Sequence, residues 1–198
     1  MLLKVGVAGH AVGAVAWSVF WLAIAQDYVG MWWGYWFEVG LFVVSASLVM
    51  VGVGCFGLGK LFNRSSAVVT GVVNIVTAAA VFLTGLDAYR LLRLGSWLWF
   101  ITLIGYGLLV ASVFLWMAVT MSGVARSGHR RLRTATGLTS LVSGFTFLLS
   151  FALLRGGLRG LVLFTQPYVL AQVLSAVFLH RISSDTRRRL GAYQRSSP

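Results

Sequence analysis

The chain has 198 residues, of which 59% are hydrophobic and only 10% charged, and its formal net charge is +12. A soluble domain carries about 25% charged residues, so an ordinary water-soluble domain is excluded, and no polar stretch is long enough to fold as a separate unit. The single cysteine, Cys55, excludes an internal disulfide and a thiol pair for disulfide exchange.

Six apolar stretches follow one another: Val5 to Ala25, Val39 to Gly59, Ala67 to Leu86, Ser96 to Val124, Thr134 to Leu154 and Gly160 to Leu179. A membrane-spanning helix needs about 20 consecutive apolar residues, because the hydrocarbon layer is about 30 Å thick. The expected fold is therefore all-α, a polytopic transmembrane bundle of six helices over residues 1–182, with a basic cytoplasmic tail at 183–198. The first stretch is longer than the apolar core of a signal peptide, about 7–15 residues, and is read as a retained span. It carries Gly9 and Gly13 in one G-x-x-x-G, a spacing that lets membrane helices approach closely.

The second stretch is preceded by Trp32, Trp33, Tyr35 and Trp36, and Trp97 and Trp99 open the fourth. Amphipathic rings prefer the headgroup level, so these mark one membrane boundary. Glu38 lies about two turns past Trp32, either in reach of that interface or as an ionisable group within lipid, where burial unpaired costs several kcal/mol. Cys55, among Gly52, Gly54, Gly57 and Gly59, reads as a small packing residue.

The third stretch carries Thr70, Asn74, Thr77 and Thr84, and the fifth Thr136, Ser140, Ser143 and Ser150. At 100° per residue each set falls within about 80° of arc, so each forms a stripe on one helix face. Both spans run in the same direction, so the two stripes can lie side by side. The stripes suit a path for a small polar solute, and equally suit close helix packing with hydrogen bonds across it. Asp87, at the outer end of the third span, shares a face with Arg90 and can pair with it.

The sixth stretch holds Gln166, Pro167 and Tyr168, with Gln172 further in. Proline removes a backbone donor and bends a helix interior, leaving the Leu163 carbonyl without its usual partner. A polar kink of this kind serves a gate or substrate site, or is an ordinary bend of the bundle.

Charge sets the orientation. Assigning loops alternately to two sides puts 12 Lys and Arg on the side of both termini and 4 on the other. Cytoplasmic loops carry the excess of Lys and Arg, so both termini are expected in the cytoplasm. Arg130, Arg131, Arg133, Arg187, Arg188 and Arg189 then face the anionic leaflet, where each basic residue contributes about 1 kcal/mol of attraction. Lipid contact accounts for these clusters, and no nucleic-acid partner is expected. Under a shift of 94 residues spans one to three overlie spans four to six, with Gly13 on Gly107 and Ser18 on Ser112, a faint 3+3 inverted repeat of the kind transporters use.

No catalytic motif is present, neither H-E-x-x-H, C-x-x-C, G-x-S-x-G nor a P-loop. His10 and His180 are the only pair a bis-histidine haem could use, and neither a cofactor nor a metal is expected. The reading that follows is a small multi-pass transporter, channel or solute-binding component of the cell membrane. Its polar path would run between spans three, five and six, with Glu38, Asn74, Thr77, Asp87, Ser143, Gln166, Tyr168 and Gln172 as candidates. The alternative is a non-catalytic integral subunit of a larger membrane complex, and behind it a lipid-acting intramembrane enzyme. Membrane lipids, copies of the chain or other complex subunits are the expected partners.

Overall fold

A computed structural model describes residues 1–25, 33–93, 98–124, 129–152 and 166–196. Among these the chain is wholly helical: α1 (Leu2–Ala25), α2 (Trp33–Phe62), α3 (Ser65–Arg93), α4 (Leu98–Gly123), α5 (Arg130–Ala152) and α6 (Gln166–Ser196). Apolar side chains cannot satisfy backbone N–H and C=O groups, and in lipid neither can the solvent, so such stretches close their hydrogen bonds internally. Three helices, over Leu2–Val19, Phe42–Phe62 and Ser65–Leu83, are long and apolar enough to cross a membrane among the described residues, and Leu108–Gly123 forms a shorter apolar run.

α6 continues through the basic segment to Ser196, so the tail expected from residue 183 begins inside a helix rather than after one. Pro167 falls in the first turn of α6, where a helix needs no backbone donor from it. The kink expected at Pro167 depends on the Leu163 carbonyl, which lies outside the described residues.

Among the described residues each helix packs on its neighbours in sequence, and α6 returns to pack on α1, closing a ring of these six helices. Adjacent helices are antiparallel. Along α1 and α2 a Cβ on Gly6 would meet Gly54, one on Gly9 would meet Met50, and one on Gly13 would meet Ser47. The α2–α3 reversal is made by Asn63, whose φ of 49° lies in the left-handed region. Its short polar side chain tolerates that region, and the Arg64 N–H closes the turn on the Gly59 carbonyl at 3.1 Å.

Two apolar clusters fill the ring. One gathers Trp17, Val44, Leu48, Val81, Val110, Phe114 and Tyr168. The other, nearer the chain ends, gathers Val51, Cys55, Leu58, Met117, Met121, Phe178 and Leu179. Apolar side chains such as Val15, Phe42, Val72, Val76, Leu138 and Phe145 cover the outside.

Candidate functional site

Between the two apolar clusters lies a polar layer. Its residues are His10 on α1, Ser47 on α2, Asn74 and Thr77 on α3, Ser140 and Ser143 on α5, and Gln172 and Ser175 on α6, all buried. The chain order of the clusters brackets them. On α6, for example, Tyr168 and Ala171 belong to one cluster and Phe178 and Leu179 to the other, with Gln172 and Ser175 between. α4 contributes Phe114 and Met117 at this depth instead of a polar group.

The seams fix the layer's level. A Cβ on Gly9 would lie 2.6 Å from Met50 Cβ, and one on Gly52 would lie 3.4 Å from Asn74 Cβ, so His10 and Asn74 flank the same turn of α2. Thr70 and Thr120 hydroxyls bond at 2.6 Å, which puts Asn74, one turn on, level with Trp116 of antiparallel α4. A Cβ on Gly137 would lie 3.3 Å from Met121 Cβ, which puts Ser140 level with Met117 or Ala118. Gln172 bonds His10 directly. All four residues therefore lie within about one helical turn of one another along the ring axis.

One connection in the layer crosses from α1 to α6. His10 Nδ1 donates to Gln172 Oε1, an oxygen that can only accept. Gln172 shares a second side-chain hydrogen bond with Tyr168. The Tyr168 ring stacks on Trp17 with centroids 4.7 Å apart and meets Phe114 edge-on at 4.8 Å. Gly13 makes room for this arrangement, since a Cβ there would lie 3.2 Å from Ser47 Oγ and 3.7 Å from Gln172 Nε2.

The stripe residues behave differently. Asn74 Nδ2 donates to the Thr70 carbonyl at 2.8 Å, Thr136 to the Leu132 carbonyl at 2.8 Å and Ser143 to the Thr139 carbonyl at 2.6 Å, all within their own helices. α4 stands between α3 and α5 in the ring, so the stripes do not lie side by side as the sequence allowed. Thr70, Asn74, Thr77, Thr136, Ser140 and Ser143 are all buried, on faces turned from the outer surface.

Of the other expected site residues, Tyr168 and Gln172 belong to the layer, and Gln166 and Pro167 lie in the first turn of α6. Glu38 sits on the second turn of α2 and Asp87 near the end of α3, but their side chains and those of Gln166 and Arg189 lie outside the described residues. His180 is exposed and does not face His10. No cluster of three or more His, Cys, Asp or Glu that could hold a metal occurs among the described residues.

His10 is the residue that sequence reasoning undervalued. The available signal was its phase: it follows Gly6 by four residues and precedes Gly13 by three and Trp17 by seven, the spacing of one helix face.

At the opposite end from the aromatic cluster, Lys4, Lys60, Arg64, Arg130, Arg131, Arg181, Arg187 and Arg188 are exposed. Arg133 beside them is half-buried. His129 pairs with Asp185 at 2.8 Å and ties the start of α5 to α6. No known protein family, curated protein or solved structure matches the chain.

Proposed function

We propose that the protein is a multi-pass component of the cell membrane that binds a small polar solute at the centre of its helix ring and passes it across. In this reading all six helices span the bilayer and both termini are cytoplasmic. The basic end rests on the anionic leaflet. One observation carries the reading: buried polar side chains from five of the six helices form a layer enclosed by apolar clusters on both sides. Polar groups at mid-membrane depth cost several kcal/mol each when unsatisfied, and His10, Asn74 and Ser140 of this layer each keep a buried polar atom that no bond between the helices uses. An enclosed polar layer is the arrangement of an occluded binding site, reached from either side when one apolar cluster parts. The Trp17, Phe114 and Tyr168 rings form the outer closure, and Met117, Met121, Phe178 and Leu179 the inner one.

The test is reconstitution of the full chain into phosphatidylcholine and phosphatidylglycerol vesicles. Stopped-flow light scattering then follows entry of water, urea, glycerol and small sugars. Entry of at least one of them faster than in protein-free vesicles is expected, with slowing by Gln172→Leu. Rates equal to those of protein-free vesicles for all of them overturn the reading.

A further inference from the structure

Three polar atoms in the layer have no hydrogen-bond partner: His10 Nε2, Asn74 Oδ1 and Ser140 Oγ. Their residues are 2%, 0% and 1% exposed. Native interiors leave few buried polar atoms unpaired, so three on one level call for an explanation.

Their placement is regular. They come from α1, α3 and α5, which alternate around the ring. They stand 8, 9 and 10 residues after the starts of their helices, about 12–15 Å along each axis, near the middle of the hydrocarbon layer. Each also points inward. The residues two before and two after each of them are exposed: Ala8 and Val12, Val72 and Val76, Leu138 and Val142. At 100° per residue, positions two away lie about 160° around the helix, so all three side chains face the ring interior.

Their chemistry specifies what they accept. With Nδ1 donating to Gln172, a neutral imidazole has only a lone pair at Nε2. The Asn74 amide has committed Nδ2 to the Thr70 carbonyl and offers its oxygen, again an acceptor. Ser140 offers a hydroxyl that donates or accepts. Two acceptors and one hydroxyl are met by a molecule with two X–H donors and one lone pair. No carboxylate belongs to the layer among the described side chains, so a cation would enter without a counter-charge, at a steep desolvation cost.

We propose that His10, Asn74 and Ser140 form a three-point site for one small uncharged molecule with at least two hydrogen-bond donors, either water itself or a hydroxyl- or amide-bearing solute of the size of glycerol or urea. The proposal rests on reading the polar layer as a binding site. Gln172 is a positioning residue here: by accepting from Nδ1 it orients the ring so that Nε2 faces the interior.

Solid-state NMR of the full chain, labelled with 15N-histidine and reconstituted in the same vesicles, tests the site apart from transport. Exposed His180 serves as the internal reference. Urea and glycerol are titrated in turn. For a solute occupant, the His10 Nε2 resonance moves with a saturable midpoint. That midpoint rises roughly tenfold in Ser140→Ala and in Asn74→Leu, and is unchanged in Thr136→Val, whose hydroxyl is satisfied within its own helix. For water as the occupant, Nε2 shows a direct cross-peak to water protons and is unmoved by either solute. Ser140→Ala then weakens that cross-peak, which keeps the test open if Asn74→Leu misfolds.

An Nε2 that contacts neither water nor solute overturns the site, as does a response indifferent to both variants. If vesicle flux persists in that case, the solute passes elsewhere and only the site falls. A titrating Nε2 without flux keeps the site and removes transport.

Discussion

The α1–α6 seam and the stripes of α3 and α5 both bury polar side chains but use them differently. On the seam, His10 on α1 bonds Gln172 on α6, Gln172 shares a further bond with Tyr168 one turn earlier on its own helix, and Trp17 and Phe114 pack on Tyr168 from α1 and α4. On the stripes, Asn74, Thr136 and Ser143 bond carbonyls of their own helices. The exception is Thr70, which also reaches Thr120 on α4. A hydroxyl that bonds its own helix is satisfied whether or not the bundle assembles, so it adds little to association. A side chain that bonds across helices loses its partner when they separate. Polar residues of equal visibility in the sequence therefore carry unequal shares of the fold.

The largest expected effect breaks the seam from its back. A Cβ on Gly6 would lie 2.7 Å from Gly54 Cα, a backbone atom that cannot rotate aside. Gly6→Leu forces α1 away from α2 and takes His10 out of register with Gln172. Overpacking of this kind costs about 3 kcal/mol, the upper end of the usual range. Thermal unfolding in detergent, followed by circular dichroism, should show a much lower midpoint, and a midpoint unchanged within error refutes the close approach of the two backbones.

Next comes the seam's own bond. Gln172→Leu leaves His10 Nδ1 without an acceptor and Tyr168 without its amide partner, a loss of about 1–3 kcal/mol. The same substitution on a stripe, Thr136→Val, is expected to change stability by less than about 0.5 kcal/mol. Unfolding of both variants in parallel tests the comparison directly. Equal losses would show that the seam is no more cohesive than the stripes.

Much of the helical architecture was legible in advance, because a run of about 20 apolar residues has few structural options. The inward faces of the stripes were legible too, since Thr70, Asn74 and Thr77 fall at offsets of one helix face and are all buried. Ring closure was not. Which helices pack together depends on local shape, such as the bare backbones of Gly6 and Gly54, and hydropathy does not record shape. Helix ends were hidden for a similar reason: α6 runs on through Arg187 and Arg188 because Arg is a good helix former, and the change in polarity near residue 183 does not mark where the helix stops. The layer itself could be only half seen. Asn74 and Gln172 stand out as amides among apolar residues, whereas His10 becomes meaningful only once α6 is known to return to α1.

Thr70 joins the two regimes and so tests where the boundary between them lies. Its hydroxyl reaches the Ser66 carbonyl at 2.9 Å in its own helix and, across to α4, Thr120 Oγ1 at 2.6 Å and the Trp116 carbonyl at 3.1 Å. Thr70→Val removes all of these while keeping the shape. Interhelical hydrogen bonds inside membranes average about 0.6 kcal/mol, so a loss of that order is expected, between the values for Gln172→Leu and Thr136→Val. A double-mutant cycle with Thr120→Val isolates the bond between the two hydroxyls, and a coupling near zero would assign the reach of Thr70 across to α4 to the Trp116 carbonyl instead.

The smallest effect is the most discriminating. Ser140 and Ser143 sit three residues apart on the buried face of α5, and alanine at either removes one oxygen from the same layer. Ser143 donates to the Thr139 carbonyl, a bond its own helix supplies, whereas Ser140 Oγ has no partner. On packing grounds alone both substitutions fall within about 0.5 kcal/mol of neutral. If the layer were only a packing seam, Ser140→Ala would even stabilise slightly, since it removes an unsatisfied hydroxyl. If Ser140 holds a bound molecule, Ser140→Ala instead loses the protection that solute gives against unfolding, while Ser143→Ala keeps it. Unfolding of both variants with and without urea-free glycerol at high concentration, against the wild-type chain under the same conditions, separates these cases. A glycerol-induced gain that is equal in all three proteins reflects solvent effects alone and excludes glycerol as the molecule that Ser140 holds.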